Sequence, residues 1–373
     1  MTQQINVSRL FDGEHWLENI TVTIVAGKIQ AITPAKATVT AGTLVPGFID
    51  IQVNGGGGVL FNAAPTLATL HTMLLAHAQF GTSAFLATLI TDRLDIMQQA
   101  ADVIAQAIAN QQAGVLGIHF EGPHISSPKK GVHAEQYIRP ISEAEMAIYR
   151  RTDLGIKMLT VAPEAVSSEQ IAELVAAGVI VCLGHSNADA DTTLAALAAG
   201  ASGFTHLYNA MSALNSRAPG MVGAALADPI SWCGLILDGH HVDPIAAKVA
   251  LAAKPQGKII IVTDAMAPVG TDETEFRLLD DLVCRNGNKL TNAAGQLAGS
   301  VLNMQEAVNY AVAELGLALE EALRMASLYP AQFINSKQLG RIEVGYQADL
   351  VLLDEQNHVL ANWVNGNLVY QKA

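Results

Sequence analysis

Positive charge is scarce in this chain. Lys and Arg number 21 against 34 Asp and Glu, a formal net charge of −13 that argues against a general nucleic-acid surface and leaves room only for a local basic pocket. Cysteine is scarcer still. Cys182, Cys233 and Cys284 are scattered and lack C-x-x-C spacing, so they read as reduced cytosolic residues, Cys182 and Cys233 being small core hydrophobes inside apolar strands. The opening MTQQINVSRLFDGEHW has no basic segment leading into an apolar one, and no signal peptide is expected. No apolar run is long enough to span a bilayer, because the Ala-rich TLAALAAGASG is short and interrupted by glycine. The glycine run at 55–58 precedes no GK[ST], so it is no Walker motif. These absences point to the cytoplasm, with neither a membrane nor a nucleic acid as partner.

Apolar sequence is abundant. Half of the 373 residues are hydrophobic and 15% are charged, enough for a sizeable core and for one large barrel with an appendage. Eight candidate strands occupy the middle of the chain: FIDIQV, SAFLATL, VLGIHF, IKMLTVA, VIVCLG, SGFTHL, CGLILD and KIIIVT. Helical stretches such as LDIMQQAADVIAQAIANQQ, SEQIAELVAAG and DADTTLAALAAG separate them, and MQEAVNYAVAEL and LEEALRMASLYPAQFI follow the last. Regular βα alternation predicts an α/β fold, a closed (β/α)8 TIM-like barrel. An open doubly wound sheet is the competitor, but no glycine-rich fingerprint follows the first strand. Both chain ends are β-rich, with turn signals at Asp12-Gly13, Gly27-Lys28 and Asn365-Gly366, and pair into a small β-sandwich. The expected division is 1–46 and 339–373 for the sandwich and 47–338 for the barrel, with a lid-like insertion at about 271–297.

Four of the strands end in a single acid or imidazole: Glu121, His185, His206 and Asp264. Each has an ordinary explanation. A loop carboxylate is commonly solvated, a lone histidine is more often a core or capping residue, and aspartate favours helix N-caps. Side chains at the C-terminal ends of barrel strands nevertheless converge although far apart in sequence. One carboxylate and two imidazoles suit a divalent metal, and a further free carboxylate suits a proton acceptor for an attacking water. His119 shares a strand face with Glu121, while His240 and His241 point opposite ways if that segment is extended. Arg217 reads as a solvated loop charge unless an anionic substrate needs its guanidinium. Gln52 and Asn54 end the first strand.

The ordered series PGFIDIQVNG, HFEGPH, KKGVH, GHS, THLYNAM, VTDAMAP, LAGS and GYQADLVLLD resembles the N-acetylglucosamine-6-phosphate deacetylase family of the amidohydrolase superfamily over nearly the whole chain. The resemblance implies a metal-dependent (β/α)8 barrel with a small sandwich from both chain ends. It implies Glu121, His185 and His206 as metal ligands and Asp264 as catalytic acid and base. It places the sugar near Gln52, Val132, His133 and the Asn209-Ala210 backbone, and the phosphate near Arg217 and His241, with Leu297, Ala298 and Gly299 as a further substrate-contacting segment. The implied reaction removes the acetyl group from N-acetyl-D-glucosamine 6-phosphate. The galactosamine epimer is the alternative substrate, and a non-catalytic scaffold the alternative from another class. A homodimer or homotetramer is implied, and in such an assembly the phosphate-binding Arg217 can come from a neighbouring subunit. Many relatives in the superfamily carry His-x-His after the first strand, where this chain has Gln52-Val53-Asn54. Neutral amides are poorer zinc ligands, so one divalent ion is expected, zinc first and iron or another divalent ion as alternatives.

Overall fold

The computed structural model describes residues 2–279 and 281–372. Eight strands form one parallel sheet in strictly sequential order. They are β1 (Phe48–Val53), β2 (Thr82–Ile90), β3 (Val115–Glu121), β4 (Ile156–Val161), β5 (Val179–Leu183), β6 (Gly203–Phe204), β7 (Trp232–Leu235) and β8 (Ile259–Ile261). Every residue of β2 is buried, which is why these strands read as continuous apolar runs rather than alternating ones. Closure comes just past the strand ends. Asp264 donates its N–H to the Gln52 carbonyl at 3.0 Å and Asn54 donates to the Ala265 carbonyl at 2.9 Å. The sheet is a nearly closed (β/α)8 barrel, as the alternation predicted.

Local signals set the helices between strands. In Leu94–Ala109 the buried Met97, Ala100, Ala101, Ile104 and Ala107 recur at helical spacing and face the barrel. Ser167 and Gln170 form a capping box at the start of Ser168–Ala176, and the Asp189 carboxylate caps Ala190–Ala198. The expected single helix over LEEALRMASLYPAQFI is two, Leu319–Ala326 and Leu328–Phe333. Pro330 has no N–H to offer a continuing helix, and Ser327 leaves helical geometry at φ −136° and ψ −70°.

The chain ends build one seven-stranded sheet. Thr40–Pro46 sits at its centre, parallel to Thr2–Phe11 and antiparallel to Leu350–Leu353, so the N- and C-terminal segments join there. Ile5, Val7, Val22, Leu44, Leu350 and Trp363 share an apolar cluster separate from the barrel's. The second hairpin turn falls at Ala26-Gly27, one residue before the expected position, because Val25 pairs with Lys28 and both turn residues take positive φ. Asn365-Gly366 turns as predicted, between Val364 and Asn367. The insertion after β8 is a four-stranded antiparallel sheet (Glu275–Leu278, Asp281–Asn286, Lys289–Asn292, Leu297–Ser300). Its last strand lies beside the chain leaving β8, with Ser300 N–H on the Asp264 carbonyl at 2.9 Å. Gly299 makes this approach feasible: at φ +63°, a Cβ there would lie 2.9 Å from the Asp264 carbonyl oxygen. Among the described residues no helix is long and apolar enough to cross a membrane.

Asp349 ties the small sheet to the start of β1. Its carboxyl accepts the Asn365 N–H at 2.6 Å and the Gln347 amide at 3.2 Å, and its carbonyl accepts the Gly47 N–H at 2.8 Å. Burial pushes its pKa up to about 7, above an unfolded value of about 4. The folded protein therefore holds an extra proton in that window, so the stabilisation is complete below about pH 4 and lost as pH rises through about 7. Melting curves at fixed metal content should show a shallower loss of stability from pH 4 to 7 in Asp349→Asn than in the parent; identical slopes would contradict this assignment.

Candidate active site

Glu121, His185, His206 and Asp264, which end four of the apolar runs, all reach the barrel mouth. Glu121 is the last residue of β3, while His185, His206 and Asp264 lie two or three residues beyond β5, β6 and β8. The last three leave their strands in the left-handed region, at φ 47°, 31° and 53°. Such conformations cost about 1–3 kcal/mol each and persist where the surroundings over-determine them. Here the surroundings are specific: the His185 carbonyl accepts the Ser126 N–H at 2.9 Å, and Asp264 is held by the seam to β1. No helix follows Asp264, so the capping explanation for it fails.

Three ligand atoms converge. Glu121 Oε1 lies 3.2 Å from His185 Nε2 and 2.9 Å from His206 Nε2, and the two nitrogens are 3.1 Å apart. All three side chains are buried. The His185 ring donates Nδ1–H to the Lys129 carbonyl at 2.9 Å, which leaves Nε2 of the neutral ring as a bare lone pair aimed at the other two. A divalent ion fits this set, because tetrahedral bonds of about 2.0–2.1 Å put neighbouring ligand atoms about 3.3 Å apart. Burial would push Glu121 up, but the His185 and His206 imidazoles that face it outweigh this and hold the carboxyl well below its usual range. Burial would push His206 down, but its bond to Glu121 raises it.

Asp264 sits across from this cluster. Its Oδ1 accepts N–H from the Asn54 amide at 2.7 Å and from the Gln52 amide at 3.3 Å, and Gln52 also donates to Glu121 Oε1 at 3.2 Å. Burial and the charge of Glu121 push Asp264 up to about 6, against the pull of His206, His241 and the Asn54 hydrogen bond. The carboxyl is thus poised to change protonation near neutrality.

A cavity of about 160 Å³ opens over both groups. Val132, His133, Asn209, Ala210, His241, Leu297 and Gly299 line it with the four residues above, Ala298 is buried just behind, and Gln52 lies beneath. Arg217 is not among the lining residues; it is exposed on the loop before Gly220–Ala227. His241 faces the cavity and His240 is exposed, as expected, although a turn rather than an extended chain separates them. His119 lies deeper in the barrel, hydrogen-bonded to the Thr160 hydroxyl at 2.7 Å. A larger cleft of about 1090 Å³, between the small sheet and the opposite ends of β2 and β3, is lined by amides and, among the described residues, by no imidazole or carboxylate.

Several contributors escaped the sequence reading. Ile90 and Met266 give the cavity an apolar wall, and Thr91 holds His133 Nδ1 at 2.7 Å. Asn54 was visible at the end of its strand, but nothing indicated that it would meet Asp264. Asp238 could have been found from its spacing to His241, which it contacts at 2.6 Å.

Removing a ligand atom tests the cluster directly. Glu121→Gln, His185→Ala and His206→Ala should each weaken metal affinity at least about 100-fold, beyond the losses caused by outer-sphere partners. Elemental analysis of the purified variants reads this, and a full equivalent of ion retained in all three would exclude the cluster as the metal site.

Known proteins carry the same architecture. The chain is 56% identical over 332 residues to the N-acetylgalactosamine-6-phosphate deacetylase of Shewanella sp. (strain ANA-3), covering 89% of this chain and 84% of that protein. It is 37% identical over 347 residues to the human N-acetylglucosamine-6-phosphate deacetylase, covering 88% and 83%. The crystal structure of N-acetylglucosamine-6-phosphate deacetylase from Pasteurella multocida superposes with a TM-score of 0.95 over the full length of both chains, at 36% identity. The sequence pattern of the Amidohydrolase family matches residues 43–369, a span that takes in the barrel, its metal-competent mouth and the C-terminal strands, and on that match the chain belongs to the amidohydrolase family.

Proposed function

We propose that this chain removes the acetyl group from an N-acetylhexosamine 6-phosphate, giving acetate and the amino-sugar 6-phosphate. The observation that carries the reading is the pairing of two unlike carboxyls in one buried mouth. Glu121 is kept anionic among imidazoles, and Asp264 is kept near its protonation point among amides. Glu121, His185 and His206 would hold a divalent ion, which when bound would supply Lewis acidity to the site; zinc suits two imidazoles and a carboxylate best. Gln52 and Asn54 turn N–H toward carboxylates rather than oxygen toward the mouth, which favours a single ion.

Asp264 takes the proton of the attacking water and returns it to the departing nitrogen. Burial drives His133 down to about 3, so its ring is neutral, and with Nδ1 held by the Thr91 hydroxyl it turns its other nitrogen toward the acetamide oxygen. The Asn209-Ala210 backbone and His241 bind the sugar and its phosphate. Arg217 completes the phosphate site from a neighbouring subunit of a homodimer or homotetramer, consistent with its exposed loop outside the cavity. The reduced cysteines fit a cytoplasmic enzyme.

The gluco epimer is the first reading, supported by the human relative and the Pasteurella structure. The 56% identity to the Shewanella protein favours the galacto epimer as a second. Acetate release from the two 6-phosphates side by side, with and without chelator, tests both; no chelator-sensitive release from either would end the proposal. Asp264→Asn should cut turnover by about 10²–10⁴-fold with the ion retained. Arg217→Ala should cost about 1.5–3 kcal/mol of affinity for phosphorylated sugar, roughly 10–150-fold, and change activity on unphosphorylated sugar little. Equal losses on both substrates would assign Arg217 a structural role instead.

A further inference from the structure

The apolar run of β7 ends in an acid that the mechanism above does not use. Asp238 follows CGLIL and precedes GHHVDP. Its Oδ1 accepts the backbone N–H groups of His240 and His241, both at 2.8 Å, and its Oδ2 accepts from His241 Nδ1 at 2.6 Å. The two side chains are only 5% and 6% exposed. Burial would push Asp238 up, but the bonds from His241 outweigh it and keep the carboxyl below its usual range.

A carboxylate only accepts, so the shared proton sits on Nδ1 and the ring turns Nε2 toward the cavity it lines. Among the described residues Nε2 has no hydrogen-bond partner. A ring held this way has two states. Neutral, Nε2 accepts; doubly protonated, it donates with a full positive charge. An anion in the cavity selects the second state, and the Asp238 charge behind the ring supports it. The other groups near the ring are Asp264 across the cavity, Asp243 at the start of Pro244–Ala253, exposed His240, and Tyr310, whose ring packs over Gly239. None of them competes for Nδ1.

We propose that Asp238 is a positioning residue for the phosphate end of the substrate, acting through His241 by fixing the ring and its Nδ1 proton so that Nε2 meets the anion as a charged donor. This rests on the reading of the substrate as a phosphorylated sugar. It assigns Asp238 to discrimination between phosphorylated and unphosphorylated sugar rather than to chemistry at the amide. The ordinary alternative is that Asp238 only shapes its turn, for which Oδ1 suffices.

D238N separates the two. The asparagine amide keeps an oxygen for the backbone N–H groups but places an N–H donor where His241 needs an acceptor. Kinetics on the phosphorylated and unphosphorylated sugars, with inorganic phosphate as inhibitor, are read for D238N, H241N and the double variant. The expected result is a loss of about tenfold in preference for the phosphorylated sugar and in phosphate inhibition, carried by KM more than kcat, with metal content and Tm retained. The double variant should be no worse than H241N, because Asp238 acts only through that ring. Phosphate inhibition within twofold of the parent, or losses that multiply in the double variant, would overturn the proposal. Should D238N not fold, histidine ¹⁵N spectra of the parent decide: His241 must show a protonated Nδ1 and gain a proton at Nε2 when phosphate is added. Failure of either overturns the assignment. Those spectra need no turnover, so they stand apart from the assay that tests the deacetylase reading.

Discussion

Closure of the parallel sheet between its first and eighth strands is the contact on which the site depends. The seam is short: two backbone hydrogen bonds between the Gln52–Asn54 and Asp264–Ala265 segments. Below them, the buried Asp50 carboxyl takes the Gln52 and Thr263 N–H groups and the Thr263 hydroxyl. Gln52 and Asn54 are more than 200 positions from Asp264, and only this seam brings their amides to its carboxyl. The nearly closed sheet leaves little free edge beside this seam, which limits slippage of the register that positions these groups.

Within that frame, burial sorts two chemically similar carboxyls into different states. Desolvation raises both. Glu121 is brought down again by two imidazoles, whereas Asp264 has two neutral amides and the like charge of Glu121 nearby. One group is therefore suited to hold a cation and the other to carry a proton. Separation of paired carboxyls by their surroundings is a general route to acid–base chemistry at neutral pH.

The mouth is built by exits from strands. Left-handed backbone at His185, His206 and Asp264 turns each side chain inward; Ser126 after β3 holds the His185 turn and Ser300 of the insertion holds the Asp264 turn. The apolar wall of Ile90 and Met266 leaves the polar groups few alternatives but one another.

Much of this is legible in the sequence. A parallel strand buried on both faces must be apolar throughout, so all eight strands were visible as runs, and a lone Glu, His or Asp at the end of a run marked the mouth. Less local features were not. The break at Ser327 and the one-residue shift of the Ala26-Gly27 turn depend on backbone pairing. The partnership of Asn54 with Asp264 and of Thr91 with His133 depends on strands meeting across the barrel.

From sequence alone came the barrel, the β-rich ends and the chemical identity of the donors, since hydrophobic periodicity is a local property that burial dictates. Tertiary structure alone decided the 2.9–3.2 Å separations, the opposite pKa shifts of Glu121 and Asp264, and the placement of Arg217 outside the cavity. Distance and desolvation are set by segments far apart in the chain, and no stretch of residues encodes them by itself.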